Sequence, residues 1–136
     1  KVQKLDSFLH KVHELMKSLV SFNIQLHGII GVMHCFSGSM QMAEELIDMG
    51  YLISLAGPVT FPNARKLHQL VQQLPEETIV LETDCPWLAP QSKRGRRNEP
   101  AFIVETARKV AELKGIQLDE LAEVTSRNAK RLFRIP

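Results

Sequence analysis

Apolar residues repeat at two different spacings along the chain. In the first twenty positions they recur at the spacing of one face of an α-helix, which predicts an amphipathic helix there. Three later runs are almost continuously apolar and have the length of β-strands: residues 29–35, 51–56 and 78–81. The segments between and after these runs return to the helical spacing, with apolar positions at Ala43, Leu46, Ile47, Ala64, Leu67, Val71, Leu74, Ile103, Ala107, Val110 and Ala111.

The three strand-like runs do not alternate between apolar and polar residues. Strands that are covered on both faces have this continuous pattern, which is typical of a parallel sheet with helices packed on it. The predicted order is helix, strand, helix, strand, helix, strand, and then helices, and this order favours right-handed βαβ units. The sequence therefore predicts an α/β fold with parallel strands and flanking helices.

Short polar and glycine signals predict where the helices begin and end. Ser39 is a predicted N-cap, and Gly50 is expected to end the helix that follows. Thr60 is expected to cap the next helix, and Asn98 to cap a later one that ends at Gly115. Two short closing helices are predicted over residues 118–124 and 125–133.

Composition changes this picture little. The chain has 136 residues, of which 44% are hydrophobic and 24% charged, so it is long enough for one globular domain, predicted over residues 1–136. No apolar run approaches the roughly 20 residues that cross a bilayer, and the N-terminus lacks a signal-peptide pattern. Two cysteines are too few for a disulfide scaffold, so we expect a soluble, cytoplasmic protein. The formal charge of +2 does not by itself indicate nucleic acid.

Residues that could bind a metal ion or transfer protons lie at the ends of two of the predicted strands. His34 lies at the end of the first, and Glu82 and Asp84 follow the third, where their spacing places both carboxylates on the same side. In parallel α/β folds the functional site lies beyond the carboxyl ends of the strands. His34 is interpreted either as a metal ligand or proton carrier or as a hydrogen-bonded structural histidine. Asp84 is either a metal ligand or base or a turn residue before Pro86.

Other candidates carry weaker signals. Cys35 and Cys85 each follow a candidate ligand and are interpreted as packing residues, and the histidines of the first helix as surface residues. Trp87 is expected either to stack on a nucleobase or to pack in the loop. The same loop holds a cluster of cations that either binds phosphate groups or is simply solvated, and phosphate binding is slightly favoured by its location: Lys93, Arg94, Arg96 and Arg97.

Four segments of the chain resemble motifs of the TatD family of metal-dependent hydrolases. They run from Gly31 through His34 to Ser39, from Leu81 through Asp84 to Pro90, over Arg94 and Gly95 and then from Arg97 to Pro100, and from Asn128 to Phe133. The resemblance covers the chain from about Gly28 to its end, with the motifs in family order.

The resemblance implies a fold and an activity. Family members form a TIM-like (β/α)8 barrel, hold two divalent metal ions and hydrolyse phosphodiester bonds, typically in DNA, so this chain is expected to form the C-terminal part of such a barrel. His34 and Asp84 are implied metal ligands, and Asp84 is also the implied catalytic residue. Glu82 and Glu99 are implied supporting residues. The expected ligands of substrate phosphates are Arg94, Arg96, Arg97 and Asn98. Mg²⁺, Mn²⁺ and Zn²⁺ are not distinguished.

The chain departs from the family pattern in its metal ligands. The His-x-His pair of the family's first strand, a metal-bridging Glu and a further His are absent, and three strands do not close a barrel. A two-metal site needs ligands around both ions, so the chain alone is expected to hydrolyse DNA poorly. The expected partners are DNA, the missing N-terminal half or a second copy of the chain. The alternative is a non-catalytic remnant that acts as an interaction module.

Overall fold

A computed structural model describes residues 31–136. The predicted amphipathic first helix, its two histidines and the first two positions of the first predicted strand lie outside these described residues. The fold below is therefore that of the remaining 106 residues, which include every candidate ligand that follows a predicted strand.

The described residues form a parallel sheet of three strands in the order β1–β2–β3. Their bounds are Gly31–Met33, Tyr51–Leu55 and Ile79–Leu81. Parallel pairing confirms the prediction made from the continuous apolar runs, although each strand is shorter than its run. Within residues 31–136 this sheet does not close into a barrel, so the partial barrel stays a prediction.

Within residues 31–136, four α-helices and four short 3₁₀ turns connect and cover the strands. The helices are α1 (Met40–Asp48), α2 (Arg65–Gln73), α3 (Ile103–Lys114) and α4 (Leu118–Phe133). The 3₁₀ turns are Gly57–Thr60, Glu76–Thr78, Gln91–Lys93 and Pro100–Phe102. The helices pack their apolar positions on the sheet, and the resulting core is centred on Leu46, Ile53, Leu55, Val59, Leu74, Ile79, Val110 and Leu121.

Several predicted helix ends are confirmed. The Ser39 hydroxyl accepts a hydrogen bond from the Met42 N–H at 3.2 Å, which satisfies one of the free donors at the start of α1. Gly50 follows α1 with a φ of 89°. Gly115 ends α3 with a φ of 70°, a left-handed conformation that glycine adopts without a steric penalty.

Two predicted helix caps are wrong. Thr60 ends a 3₁₀ turn instead of starting a helix: its hydroxyl donates to the Gly57 carbonyl at 2.7 Å, and α2 begins only at Arg65. Asn98 does not cap α3, which begins at Ile103 after a separate 3₁₀ turn. In both cases the polar side chain bonds to a neighbouring loop, which competes with capping.

The closing segment is one helix of 16 residues instead of the two that were predicted. Thr125, at the expected break, is buried within α4, and its hydroxyl donates to the Leu121 carbonyl at 2.8 Å. A threonine that bonds back to the preceding turn leaves the helix ladder intact, so this residue does not interrupt the helix.

Polar side chains from the last two helices hold the amino end of β3. Asn128 of α4 is fully buried and donates to the carbonyls of Glu76 and Ile79, both at 2.8 Å. Lys114 of α3 donates to the Leu74 carbonyl at 2.6 Å. These contacts fix the start of the strand whose other end carries the candidate site.

Candidate active site

Two of the candidate residues lie directly beyond strand ends that are hydrogen-bonded to the same central strand. His34 follows β1, and the Phe36 N–H donates to the Ser54 carbonyl of β2 at 3.0 Å. Glu82 follows β3, and its N–H donates to the Leu55 carbonyl of β2 at 3.0 Å. Backbone pairing thus continues past β1 and β3, and the side chains of His34 and Glu82 meet at the carboxyl edge of the sheet.

His34, Glu82 and Asp84 form what we call the strand-end cluster. The imidazole of His34 lies between two carboxylates: Nδ1 contacts Oε2 of Glu82, and Nε2 lies 3.2 Å from Oδ1 of Asp84. His34 and Asp84 therefore lie at the distance expected for two ligands of one ion. The contact of both carboxylates with one ring confirms that Glu82 and Asp84 lie on the same side of the chain.

The backbone around the cluster adopts an uncommon conformation. Cys35 has a φ of 45° and Asp84 a φ of 55°, both in the left-handed region that residues with a Cβ rarely occupy. The Cys35 N–H donates to Oε1 of Glu82 at 2.5 Å, so the same carboxylate holds both His34 and the turn that follows it. Left-handed residues other than glycine concentrate at functional sites, where the surrounding structure compensates for the strain.

The cluster is open to solvent, whereas Cys35 beside it is partly shielded. The His34 side chain is 61% exposed, and those of Glu82 and Asp84 are 20% and 29% exposed. Burial, and then the negative charges of Glu82 and Asp84, raise the pKa of the Cys35 thiol to about 11. Cys35 therefore remains a neutral thiol at pH 7, in keeping with a packing role, but Cys85 is exposed, so its predicted packing role is wrong.

The donor atoms of His34 and Asp84 fit a shared metal ion. Metal–ligand bonds of about 2 Å place two ligands of one ion roughly 3 Å apart, and the observed Nε2–Oδ1 distance is 3.2 Å. Glu82 contacts the other ring nitrogen, where metal-binding histidines usually hold a carboxylate. Among residues 31–136, no group of three His, Cys, Asp or Glu side chains could hold a metal ion. His34 and Asp84 therefore fit as part of a larger ligand set.

The loop between Asp84 and the helices is anchored by Asn98. Its side-chain amide donates to the carbonyls of Thr83 and Trp87, both at 2.6 Å, and its backbone N–H donates to the Pro86 carbonyl at 3.1 Å. Asn98 is only 3% exposed. Both of its amide N–H groups are thus used inside the protein, which leaves neither for the phosphate that the sequence predicted this side chain would bind.

Gly57, the first residue of the 3₁₀ turn after β2, is essential to this loop. A Cβ at Gly57 would lie 2.1 Å from the Leu88 carbonyl oxygen, a distance that no real Cβ contact reaches. The Gln91 N–H also donates to the Thr60 hydroxyl at 2.7 Å. The loop therefore packs directly on the backbone that follows β2. The Gly-Pro pair after a strand was a signal for such an approach.

The four cations of the loop divide into two pairs. Lys93 lies over the Phe102 ring at 5.4 Å, and Arg94 lies over the Phe61 ring at 4.9 Å. Arg96 and Arg97 are exposed, and neither is in any of the salt bridges found in the described part of the chain. All three arginines are exposed, but Arg94 is stacked on an aromatic ring, as is Lys93, whereas Arg96 and Arg97 have no such ring contact in the described residues.

A comparison with known proteins identifies the family. The family model described as "TatD related DNase" matches residues 7–134, which is nearly the whole chain. The chain belongs to the TatD family. The resemblance read from the four sequence motifs is therefore confirmed.

Relatives of this TatD chain are longer proteins. It is 48% identical over 105 residues to the metal-dependent hydrolase YabD of Bacillus subtilis, an alignment that covers 77% of this chain and 41% of YabD. It is 44% identical over 105 residues to the metal-dependent hydrolase YcfH of Escherichia coli K12, covering 77% of this chain and 40% of YcfH. The chain thus spans about two fifths of the curated relatives it matches.

Solved structures agree with the TatD assignment. The chain superposes on YjjV, a TatD homologue from Escherichia coli, with a TM-score of 0.74 and 30% identity, over 98% of this chain and 47% of YjjV. A TatD-family hydrolase from Entamoeba histolytica shares the fold at a TM-score of 0.67 and 24% identity, over 75% of this chain and 41% of that protein.

None of the helices within residues 31–136 has the length and apolarity that crossing a membrane requires.

Proposed function

We propose that this TatD chain takes part in metal-dependent hydrolysis of phosphodiester bonds in DNA, with His34 and Asp84 as metal ligands. The observation that carries the proposal is the 3.2 Å separation of His34 Nε2 and Asp84 Oδ1, with Glu82 on the opposite ring nitrogen. The family model, described as "TatD related DNase", and relatives named metal-dependent hydrolases support the same reaction class. DNA as the substrate is itself part of this proposal.

The contact between His34 and Glu82 prepares the imidazole to bind a cation. When Nδ1 carries the proton and donates to Glu82, Nε2 keeps its lone pair and faces the Asp84 carboxylate. Two such electron-rich atoms at 3.2 Å repel each other unless a proton or a metal ion lies between them. The cluster therefore favours a cation at this point.

The roles of the residues follow from this arrangement. A divalent ion, one of two in a complete site and either Mg²⁺, Mn²⁺ or Zn²⁺, would supply polarisation of a phosphoryl oxygen and a lowered pKa of bound water. His34 and Asp84 would hold this ion, and Glu82 fixes the orientation of the His34 ring. Asp84 would also accept a proton from the attacking water. Glu99 is an exposed supporting residue.

The exposed cations of the loop supply the substrate contacts in this proposal. Arg96 and Arg97 present guanidinium groups to solvent, and guanidinium binds phosphate in a bidentate way. Arg94 contributes less because its guanidinium is stacked on Phe61. We further propose that the chain is the C-terminal part of a longer barrel, since the described residues supply only two metal ligands, and that this protein works in the cytoplasm.

A chimaera tests the proposal. The part of Bacillus subtilis YabD that this chain does not match is joined to the chain, and cleavage of linear DNA is followed on gels with Mg²⁺ or Mn²⁺. We expect cleavage by the chimaera and little or none by the 136-residue chain alone. Asp84→Asn should abolish cleavage, because it removes a ligand charge, whereas Asp48→Asn, at an exposed carboxylate on α1, should not. Cleavage that survives Asp84→Asn, or a folded chimaera that leaves DNA intact, would overturn it.

A second candidate function is a non-catalytic interaction module. It is favoured by the finding that, in the part of the chain that the structure describes, no three side chains could hold a metal ion. This function predicts that DNA cleavage by the chimaera is absent while binding of the chain to a partner does not depend on Asp84. The same assay therefore separates the two candidates.

A further inference from the structure

The anchored loop displays a tryptophan beside two arginines. Trp87 is the only tryptophan of the chain, and its side chain is 71% exposed. It lines a shallow depression of about 570 Å³ whose walls are formed by Pro86, Trp87, Leu88, Ala89, Arg96 and Arg97. Exposed indole rings are costly in water, because the ring is mostly apolar, so a ring held out in this way indicates a surface that binds something.

The backbone of Trp87 is fixed although its ring is exposed. Its N–H donates to the Asp84 carbonyl at 2.9 Å, and its carbonyl accepts from the buried amide of Asn98 at 2.6 Å. The next residue, Leu88, touches Gly57 through its carbonyl and has a φ of 52°. The backbone from which the ring projects is therefore held at a set position, three residues from a proposed metal ligand.

The chemistry of the depression suits a nucleotide. Its wall combines one aromatic face with two guanidinium groups, and none of the described residues that line it is acidic. Base–aromatic stacking and phosphate–guanidinium contacts are the two interactions by which proteins bind single-stranded nucleic acid. In duplex DNA the faces of the bases are covered by their neighbours, so an unpaired base offers its face to the ring far more readily than a paired one.

We propose that Trp87 is a stacking platform for an unpaired base of a DNA strand, and that Arg96 and Arg97 hold the phosphates of the same nucleotide. The identity of the ligand as DNA rests on the proposed function. The platform makes the site selective for single-stranded DNA or frayed ends over blunt duplex. It also sets the position of the strand relative to Asp84, since Trp87 and Asp84 are hydrogen-bonded through the backbone.

Intrinsic fluorescence tests the platform without any substitution. The 136-residue chain is titrated in EDTA, so that no hydrolysis occurs, with short oligothymidylate, with an abasic strand of the same length, and with blunt duplex. Because Trp87 is the only indole, any quenching comes from its ring. We expect saturable quenching by oligothymidylate and weak or no quenching by the abasic strand and the duplex. Equal quenching by the base-containing and abasic strands would overturn the proposal.

Substitutions test the same point by the anisotropy of a labelled oligothymidylate. Trp87→Ala should weaken binding by about tenfold, because a stacked base contributes strongly to affinity. Trp87→Phe keeps an aromatic face and should retain most of it. Phe133→Ala removes a ring that is similarly exposed, at 67%, but lies at the end of α4, and should change nothing. Unchanged affinity in Trp87→Ala would overturn the proposal.

The outcomes separate this inference from the proposed function. Base-dependent quenching in EDTA together with a chimaera that never cleaves DNA would leave the platform in place and remove the catalytic proposal. Cleavage that requires Asp84 but is unaffected by Trp87→Ala, with no base-dependent quenching, would remove the platform alone. Trp87 that is not quenched by any strand would overturn the platform.

Discussion

The two ends of β3 both carry polar contacts, but of different kinds. At the amino end, Asn128 is fully buried, and its side-chain amide donates hydrogen bonds to the carbonyls of Glu76 and Ile79. At the carboxyl end, Glu82 and Asp84 are partly exposed carboxylates that face one imidazole ring. The amino end uses a neutral side chain with fixed partners, whereas the carboxyl end gathers charge at an open surface.

The contacts at the amino end of β3 stabilise the fold, whereas those at the carboxyl end form the candidate site. A buried neutral amide that satisfies two backbone carbonyls stabilises the fold, since either carbonyl would otherwise lack a partner. Two carboxylates close together at a surface repel each other and contribute little to stability, but they attract a cation. The same strand is therefore held in place at one end so that it can present reactive groups at the other.

Replacing Asn128 gives the largest expected effect on stability. Asn128→Ala removes both donors and leaves two buried carbonyls without them, which should lower the free energy of unfolding by about 2 kcal/mol. The change is measured by urea denaturation followed by circular dichroism. Asn63→Ala serves as the matched control because Asn63 is exposed and should lose almost nothing.

The carboxyl end should respond in the opposite way to the same measurement. Asp84→Asn removes a charge that faces Glu82 across His34, so the free energy of unfolding should stay within about 0.5 kcal/mol of the unmodified chain. If Asp84→Asn lowered the free energy of unfolding as much as Asn128→Ala, the strand-end cluster would stabilise the fold. The proposed difference between the two ends of β3 would then be wrong.

A smaller effect should divide the basic loop into its two pairs. Arg94→Gln removes a cation stacked on Phe61 and should lower the free energy of unfolding by about 0.5–1 kcal/mol. Arg97→Gln, at an exposed position, should change it by less than about 0.5 kcal/mol. The salt dependence of DNA binding should show the reverse order, with the larger decrease in slope for Arg97→Gln. Equal effects of both substitutions in both assays would contradict the division.

The sequence predicted the sheet well because its signals are local. Continuous apolar runs identified the three strands of the described residues. Ser39 and Gly115 identified helix ends, since each residue bonds to a partner only a few positions away in the sequence. Thr60 and Asn98 misled the prediction because their partners lie 31 and up to 15 residues away. A polar residue near a helix start looks the same in the sequence whether it bonds to the helix or to a distant loop.

The site was predictable in its members but not in its contacts. Strand-end placement identified His34, Glu82 and Asp84, and their juxtaposition follows from parallel pairing. The hydrogen bond from Cys35 to Glu82 and the stacking of Arg94 on Phe61 depend on loop geometry, for which charge alone gives no signal. A cluster of four cations was therefore grouped as one surface, although the fold assigns its members to two tasks.

The most direct test of the central claim compares two histidines in one NMR spectrum. Mn²⁺ broadens the ring signals of any histidine it binds, and substitution of His34 assigns its signals. His68 is the internal control, because its Nε2 already contacts the Val59 carbonyl at 2.8 Å. We expect Mn²⁺ to broaden the His34 signals before those of His68, and Asp84→Asn to remove this difference. Equal broadening of both histidines, or selective broadening of His34 that persists in Asp84→Asn, would contradict a metal site shared by His34 and Asp84.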